Sequence, residues 1–207
     1  MILETTAVIL RVEEGSGRSK LVWALSPQHG RIICVFGSGK KFCEPGLFRV
    51  VNLKLEKKLS KDKFRYDDEG LWKAEILDLI HTYDQLAQNY DAFSRACDFG
   101  ASVLQVSSRD HAYPLTFKTS LQALEAFLEG AEYLPWRVCM LINFLRDFGA
   151  LPERSDLSDL QGRFLNRLLE CSDDRKLLPN ISSQKWLEFE LWALSLLDMA
   201  GINVDFQ

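Results

Sequence analysis

The periodicity of this chain changes once, at Asp67, and that change limits what the chain can fold into. Ahead of it, apolar residues recur at alternate positions in short runs separated by glycine, serine and proline. After it they recur at three- and four-residue spacings. A period of two lines one face of a strand, and a period near 3.6 lines one stripe of a helix. The pattern predicts an α+β chain with its strands first and its helices second.

The strands are bounded by turn residues. Leu3 to Val12, rich in Thr, Val, Ile and Leu, reads as the first. Glu13 to Ser19 makes a polar, glycine-bearing turn, and Lys20 to Leu25 a second strand. Ser26-Pro27-Gln28-His29-Gly30 turns the chain, with Gly30 available for a positive φ. Arg31 to Phe36 is a third strand, followed by a flexible basic loop, Gly37-Ser38-Gly39-Lys40-Lys41. Phe48 to Leu55 alternates again, Lys57 to Lys63 forms a basic hairpin, and Phe64-Arg65-Tyr66 returns as a short fifth strand. Strands this short and close predict a five-stranded β-barrel of the oligonucleotide-binding type over residues 1–67.

Residues 68–207 predict an all-α helical bundle. Asp67-Asp68-Glu69 precedes a first helix with Trp72, Ile76, Leu79, Tyr83 and Leu86 on one stripe. A second covers 92–106. Pro114 opens a third that ends at Gly130, and Pro135 a fourth stopped by Gly149. Ser155 or Asp156 caps a fifth. Ser182 or Ser183 caps a last helix running to Met199, apolar on most sides and expected at the centre. The step between the two units is short, so they are expected to pack firmly.

Charge divides along the same line. Residues 1–66 hold 13 Lys and Arg against 6 Asp and Glu, whereas the rest hold 12 against 23. A cationic head on an anionic body suggests a polyanion partner. No run approaches the ~18 apolar residues of a membrane span. The N-terminus has no signal-peptide pattern, so a cytoplasmic location is expected. Five cysteines occur without a C-x-x-C pair, which predicts thiols in a reducing compartment and no metal site.

Catalysis is poorly supplied. His29 in a turn, His81 within the first predicted helix and His111 in a loop fall in no ligand spacing. Gly37 to Lys40 is no phosphate loop, because Cys34 stands where the pattern needs glycine and Lys41 where it needs Ser or Thr. Neither an enzyme nor a cofactor is expected.

Binding is better supplied. Arg18, Lys20, Arg31, Lys40, Lys41, Lys54, Lys57, Lys58, Lys61, Lys63 and Arg65 belong to one small unit that cannot hide them. Cations of this kind neutralise phosphates without sequence preference. Trp23, Phe36, Phe42, Phe48, Phe64 and Tyr66 lie among them. Most are expected in the core, whereas Phe42, beside Lys40 and Lys41, is expected to be exposed and able to stack a base.

Three segments carry a resemblance: Arg18-Ser19-Lys20-Leu21-Val22, Gln28-His29-Gly30-Arg31-Ile32, and Val35 through Lys41. A fourth is the leucine-rich run from Arg137 to Pro152. In order and spacing they resemble the bacterial recombination mediator family RecO across nearly the whole chain. The resemblance implies an oligonucleotide-binding barrel followed by a helical domain. It implies binding of single- and double-stranded DNA and annealing of complementary strands. Its implied partners are RecR, the acidic tail of the single-stranded-DNA-binding protein and, indirectly, RecA. It marks Lys20, Arg31, Lys40 and Lys41 as DNA contacts; Arg18, Lys54, Lys57, Lys58 and Arg65 follow from charge alone. The zinc module of many RecO proteins is missing, since Glu153 to Leu157 runs straight towards the next helix. An alternative is a protein–protein adaptor whose basic face meets an acidic partner.

Overall fold

The computed structural model describes all residues except 16, 18, 38–43, 58–70, 172–177 and 203–207. The chain is α+β. Five strands, β1 (Ile2–Glu14), β2 (Lys20–Ser26), β3 (Gly30–Phe36), β4 (Arg49–Lys57) and β5 (Leu71–Thr82), form one sheet. The strand order is β1-β2-β3-β5-β4, closing from β4 back onto β1. All pairs are antiparallel except β3 with β5, where Ile33–Phe36 runs parallel to Leu71–Ala74. Alternation works as expected in β3, which buries Gly30, Ile32, Cys34 and Phe36 and turns Arg31, Ile33 and Val35 outward. The interior combines Ala7, Ala24 and Ala74 with Ile9, Val22, Leu53 and Leu55. Small residues among large ones let a narrow closed sheet fill without voids.

The first predicted helix is a strand. Leu71–Thr82 forms β5, paired with β4, and His81 therefore lies on a strand. Two irregularities explain the misleading period. Ile80 and Leu77 have no residue opposite them on β4, because the register shifts between Val50 and Val51 and again between Asn52 and Leu53. Such bulges put an extra residue into the alternation. Trp72, Ala74 and Ile76 keep a spacing of two, then Leu79 follows after three, which imitates a helical stripe. The division expected at 67/68 thus lies ahead of the last strand of the sheet. The fifth strand expected at Phe64–Tyr66 lies outside the described residues.

After a short 3₁₀ turn (Asp84–Gln88), the helices are α1 (Tyr90–Val106), α2 (Pro114–Leu128), α3 (Tyr133–Phe148), α4 (Asp159–Cys171) and α5 (Ser183–Met199). Asn89 caps α1 by accepting from the amides of Asp91 and Ala92. Gly149 ends α3 in the left-handed region at φ 76°. Ser158, rather than Ser155 or Asp156, opens α4. Its hydroxyl accepts from the Gln161 amide while its own amide donates to the Gln161 side chain, a reciprocal capping box. Ser182 caps α5. No helix among the described residues is long and apolar enough to cross a membrane.

The centre of the bundle is α3, not α5. Its residues Val138 to Leu145 are all buried, and α1, α2, α4 and α5 pack around it. α5 buries one stripe (Trp186, Phe189, Ala193, Leu196 and Leu197) and leaves Leu187 and Leu191 exposed. Composition alone makes α5 look apolar on most sides; its position in the bundle leaves Leu187 and Leu191 uncovered.

The end of α3 also caps α2. Tyr113 offers the first turn of α2 no side-chain acceptor. The Asp147 carboxylate accepts instead from the Leu115 amide at 3.2 Å, and from the Thr116 amide and hydroxyl, each at 2.8 Å. Asp147→Ala should lower the unfolding free energy by about 1–2 kcal/mol, within the range for a lost helix cap. Denaturant unfolding with an unchanged m-value is the check.

Sheet and helices share one core. Val8, Leu10, Leu25, Phe48 and Val50 face outward from the sheet and pack with Phe99, Val103 and Tyr113 of the helical half. Phe48 meets Phe93 edge to face at 5.9 Å. The β2–β3 turn is tied to the α1–α2 connection by backbone bonds: Arg31 N to Ser108 O and Tyr113 N to Pro27 O, each at 2.9 Å. Gly30 sits between them at φ 65°.

Candidate nucleic-acid interface

Of the residues expected to contact DNA, Lys20, Arg31, Lys54 and Lys57 are described, while Arg18, Lys40, Lys41, Phe42, Lys58 and Arg65 lie outside the described residues. The four described ones do not converge. Lys20 opens β2, and its ammonium pairs with the Glu44 carboxylate. That hydrogen bond raises the lysine above its usual pKa and holds the Glu44 carboxyl below its own. Lys54 lies mid-strand on β4, 3.9 Å from Glu56, and Lys57 is exposed at the end of β4.

Arg31 points at the helices. Its Nη1 donates to the Leu104 carbonyl at 2.8 Å, in the last turn of α1. A cation is favoured there by the exposed carbonyls of the helix end. Its Nε is buried and has no hydrogen-bond partner among the described residues. Burial, and then the charge of Arg109, lowers its pKa. Arg31 thus braces the junction between sheet and helices. Arg49 is also engaged locally, in a two-pronged pair with Asp84 at 2.9 and 3.2 Å. That pair holds the Asp84 carboxyl below its usual range.

The outer face of β1, β4 and β5 is a charge ladder. Lys54 sits between Glu4 on β1 and Glu75 on β5; Glu56 faces Lys73; Asn52 faces Asp78. Opposite charges across neighbouring strands stabilise a sheet. Acid outnumbers base in these rows, so the face offers a phosphate chain little.

The outer face of β2 and β3 differs. Leu21 lies opposite Val35, and Trp23 opposite Ile33, all half-exposed. One edge of Trp23 packs against the core shared with the helices. The Arg11 guanidinium carbon stands 4.8 Å from the centre of a Trp23 ring. Arg11 is there because the β1–β2 register shifts between Ile9 and Arg11. Leu10 and Arg11 consequently both face outward, Leu10 towards Gly100 of α1 and Arg11 towards Trp23. Arg11 also pairs with Glu13. Lys73, exposed on β5, pairs with Val35 across the parallel seam. The result is an apolar strip with one tryptophan, flanked by Arg11 and Lys73; Lys20, opposite the buried Phe36, belongs to the other side of the β2 alternation.

Arg11 and Lys73 were not among the expected contacts. Arg11 needs a bulge to reach this face, and Lys73 was assigned to a helix. A signal was present for the strip itself: Leu21-x-Trp23 and Ile33-x-Val35 are apolar at positions that alternation turns outward. Of the described cysteines, Cys34 and Cys139 are buried and Cys97, on α1, is half-buried. Among the described residues no group of three His, Cys, Asp or Glu could hold a metal ion. Neither a scan of protein-family models nor a search of curated proteins returns a match to this chain.

Proposed function

We propose that the closed sheet is a barrel of the oligonucleotide-binding type and that the chain is a DNA-binding recombination mediator of the RecO kind. It binds single- and double-stranded DNA and promotes annealing. With RecR it helps load RecA onto strands coated by single-stranded-DNA-binding protein, whose acidic tail it holds. The chemistry is non-covalent throughout. The reading is carried by the strip on the outer face of β2 and β3, because barrels of this type take oligonucleotides across strands 2 and 3. The strip has the two components such binding needs, an aromatic for bases and cations for phosphates.

The exposed pairs Arg11–Glu13 and Lys20–Glu44 are no obstacle. Surface ion pairs hold loosely, so a phosphate can replace the carboxylate at little cost. A strand held by charge and stacking alone stays free to slide, and a second strand meets less repulsion beside it, which favours pairing.

Anisotropy of a labelled, unstructured single strand across a salt series tests the reading. Two phosphate contacts, Arg11 and Lys73, predict a slope of log affinity on log salt of about −1.4, from ~0.7 per contact. A steeper slope brings in further lysines of the first third. Affinity that is absent at low salt, or indifferent to salt, rules the reading out.

The adaptor reading draws on one observation: Lys20 already holds a carboxylate. It expects tight binding of an acidic peptide and no affinity for the bare strand, so the same titration with that peptide as competitor separates the two.

A further inference from the structure

We infer that Glu13 sets how tightly the β2–β3 strip holds a strand, its carboxylate competing with a phosphate for Arg11. The inference rests on the strand-binding reading above and adds a residue to it. Beyond the register shift in β1, Arg11 and Glu13 are two positions apart, with Val12 between them packed against the interior. Both therefore face outward. Arg11 lies opposite Trp23 and Glu13 opposite Leu21, so the pair forms the β1 border of the strip. The first row continues from Trp23 through Ile33 to Leu71, and the second from Leu21 through Val35 to Lys73. These two rows hold three charged residues, and the acid stands on the border next to the aromatic ring.

Arg11 Nη2 donates to the Glu13 carboxylate while the guanidinium carbon stands 4.8 Å from the Trp23 ring centre. The side chains of the pair are 59% and 38% exposed, so solvent screens it and it adds little to the stability of the fold. Its consequence falls on the ligand. A phosphate beside the ring needs the same guanidinium donors, since a two-pronged bond to an oxyanion uses the fork that the carboxylate occupies. Displacing the carboxylate does not remove it. It stays tethered to β1 within the ~10 Å over which charges still act on one another at 0.1 M salt, and it repels the phosphate. Lys73, on the other border, faces Glu56 of β4, but that carboxylate is 3.9 Å from Lys54. The attenuation is thus strongest at the cation beside the ring. A loose grip suits a protein that brings strands into register, because a strand must shift before its bases pair.

The test measures anisotropy of a labelled, unstructured single strand with the full chain at fixed low salt. Glu13→Gln should tighten binding about two- to fivefold, the equivalent of one exposed ion pair. A residue with a merely structural role would weaken binding when replaced, or leave it alone, so the sign of the change discriminates. Glu188→Gln, the same loss of charge at an exposed position on α5, should leave affinity unchanged. In an Arg11→Gln background the gain from Glu13→Gln should shrink by about half or more, because the competition has lost its object. The inference is overturned if Glu13→Gln binds no tighter, if Glu188→Gln gains equally, or if the gain persists in full without Arg11. Each of those results leaves the strand-binding reading standing, since the unaltered chain still binds with its salt dependence. If the unaltered chain binds no strand even at low salt, that reading fails and the role of Glu13 falls with it.

Discussion

Gly30→Ala is expected to lower the unfolding free energy by about 2–5 kcal/mol, combining left-handed strain with overpacking. At φ 65° an alanine is strained whatever the space around it. The space is also occupied: a Cβ there would lie 2.4 Å from the Ser108 carbonyl oxygen and 2.6 Å from that of His111. Both oxygens belong to backbone, so no side-chain rotation relieves the contact. The β2–β3 turn must move away from the α1–α2 connection. Such movement strains the Arg31–Ser108 and Tyr113–Pro27 backbone bonds and the Arg31–Leu104 brace together. Thermal and denaturant unfolding measure the loss. A change below 1 kcal/mol would mean that the close approach of sheet and helices is not as described. Gly17, also at positive φ but with nothing within 4 Å of a built Cβ, is the control: Gly17→Ala carries the strain without the collision.

Trp23→Ala is expected to weaken binding of an unstructured single strand by about 5- to 150-fold, equivalent to the 1–3 kcal/mol of one base stacked on an aromatic ring. Trp23→Phe should recover much of that, since a smaller ring still offers a face. Part of Trp23 packs into the shared core, so the alanine variant also loses stability, and binding must be read well below its unfolding temperature. Arg11→Gln separates the effects. Arg11 is exposed, so this change leaves the core alone while removing the proposed phosphate contact and the cation over the ring. It should make the salt slope shallower by about 0.7, the single-strand value for one contact. If both variants bind as tightly as the unaltered chain, the β2–β3 strip is not where the strand lies.

The first four strands were legible because their alternation is regular and glycine or proline punctuates them. β5 was not. Two unmatched residues, Leu77 and Ile80, break its period, and acid at 67–69 imitated a helix start. Helix ends marked by Gly130, Gly149 and Ser182 could be read directly, because those residues act through local backbone geometry. The place of a helix in the bundle could not: α5 and α3 are both apolar in composition, and only packing shows which is surrounded. The same limit governs the site. Charge counting picked out Arg31 as readily as Lys57, yet one braces a helix end and the other meets water. The partner of a cation is a property of three dimensions. Arg11 illustrates the converse, since its place over Trp23 depends on one extra residue in β1.

The parallel seam between β3 and β5 has a mechanical consequence. Among the described residues it is four residue pairs long, shorter than the ladder of β4 with either β1 or β5. Parallel pairing is also slightly weaker per residue than antiparallel. Local opening follows the path of fewest bonds, so the sheet unzips there first while the helices hold the far side. Cys34, opposite Trp72 on that seam and buried when it is shut, would meet solvent during such an excursion.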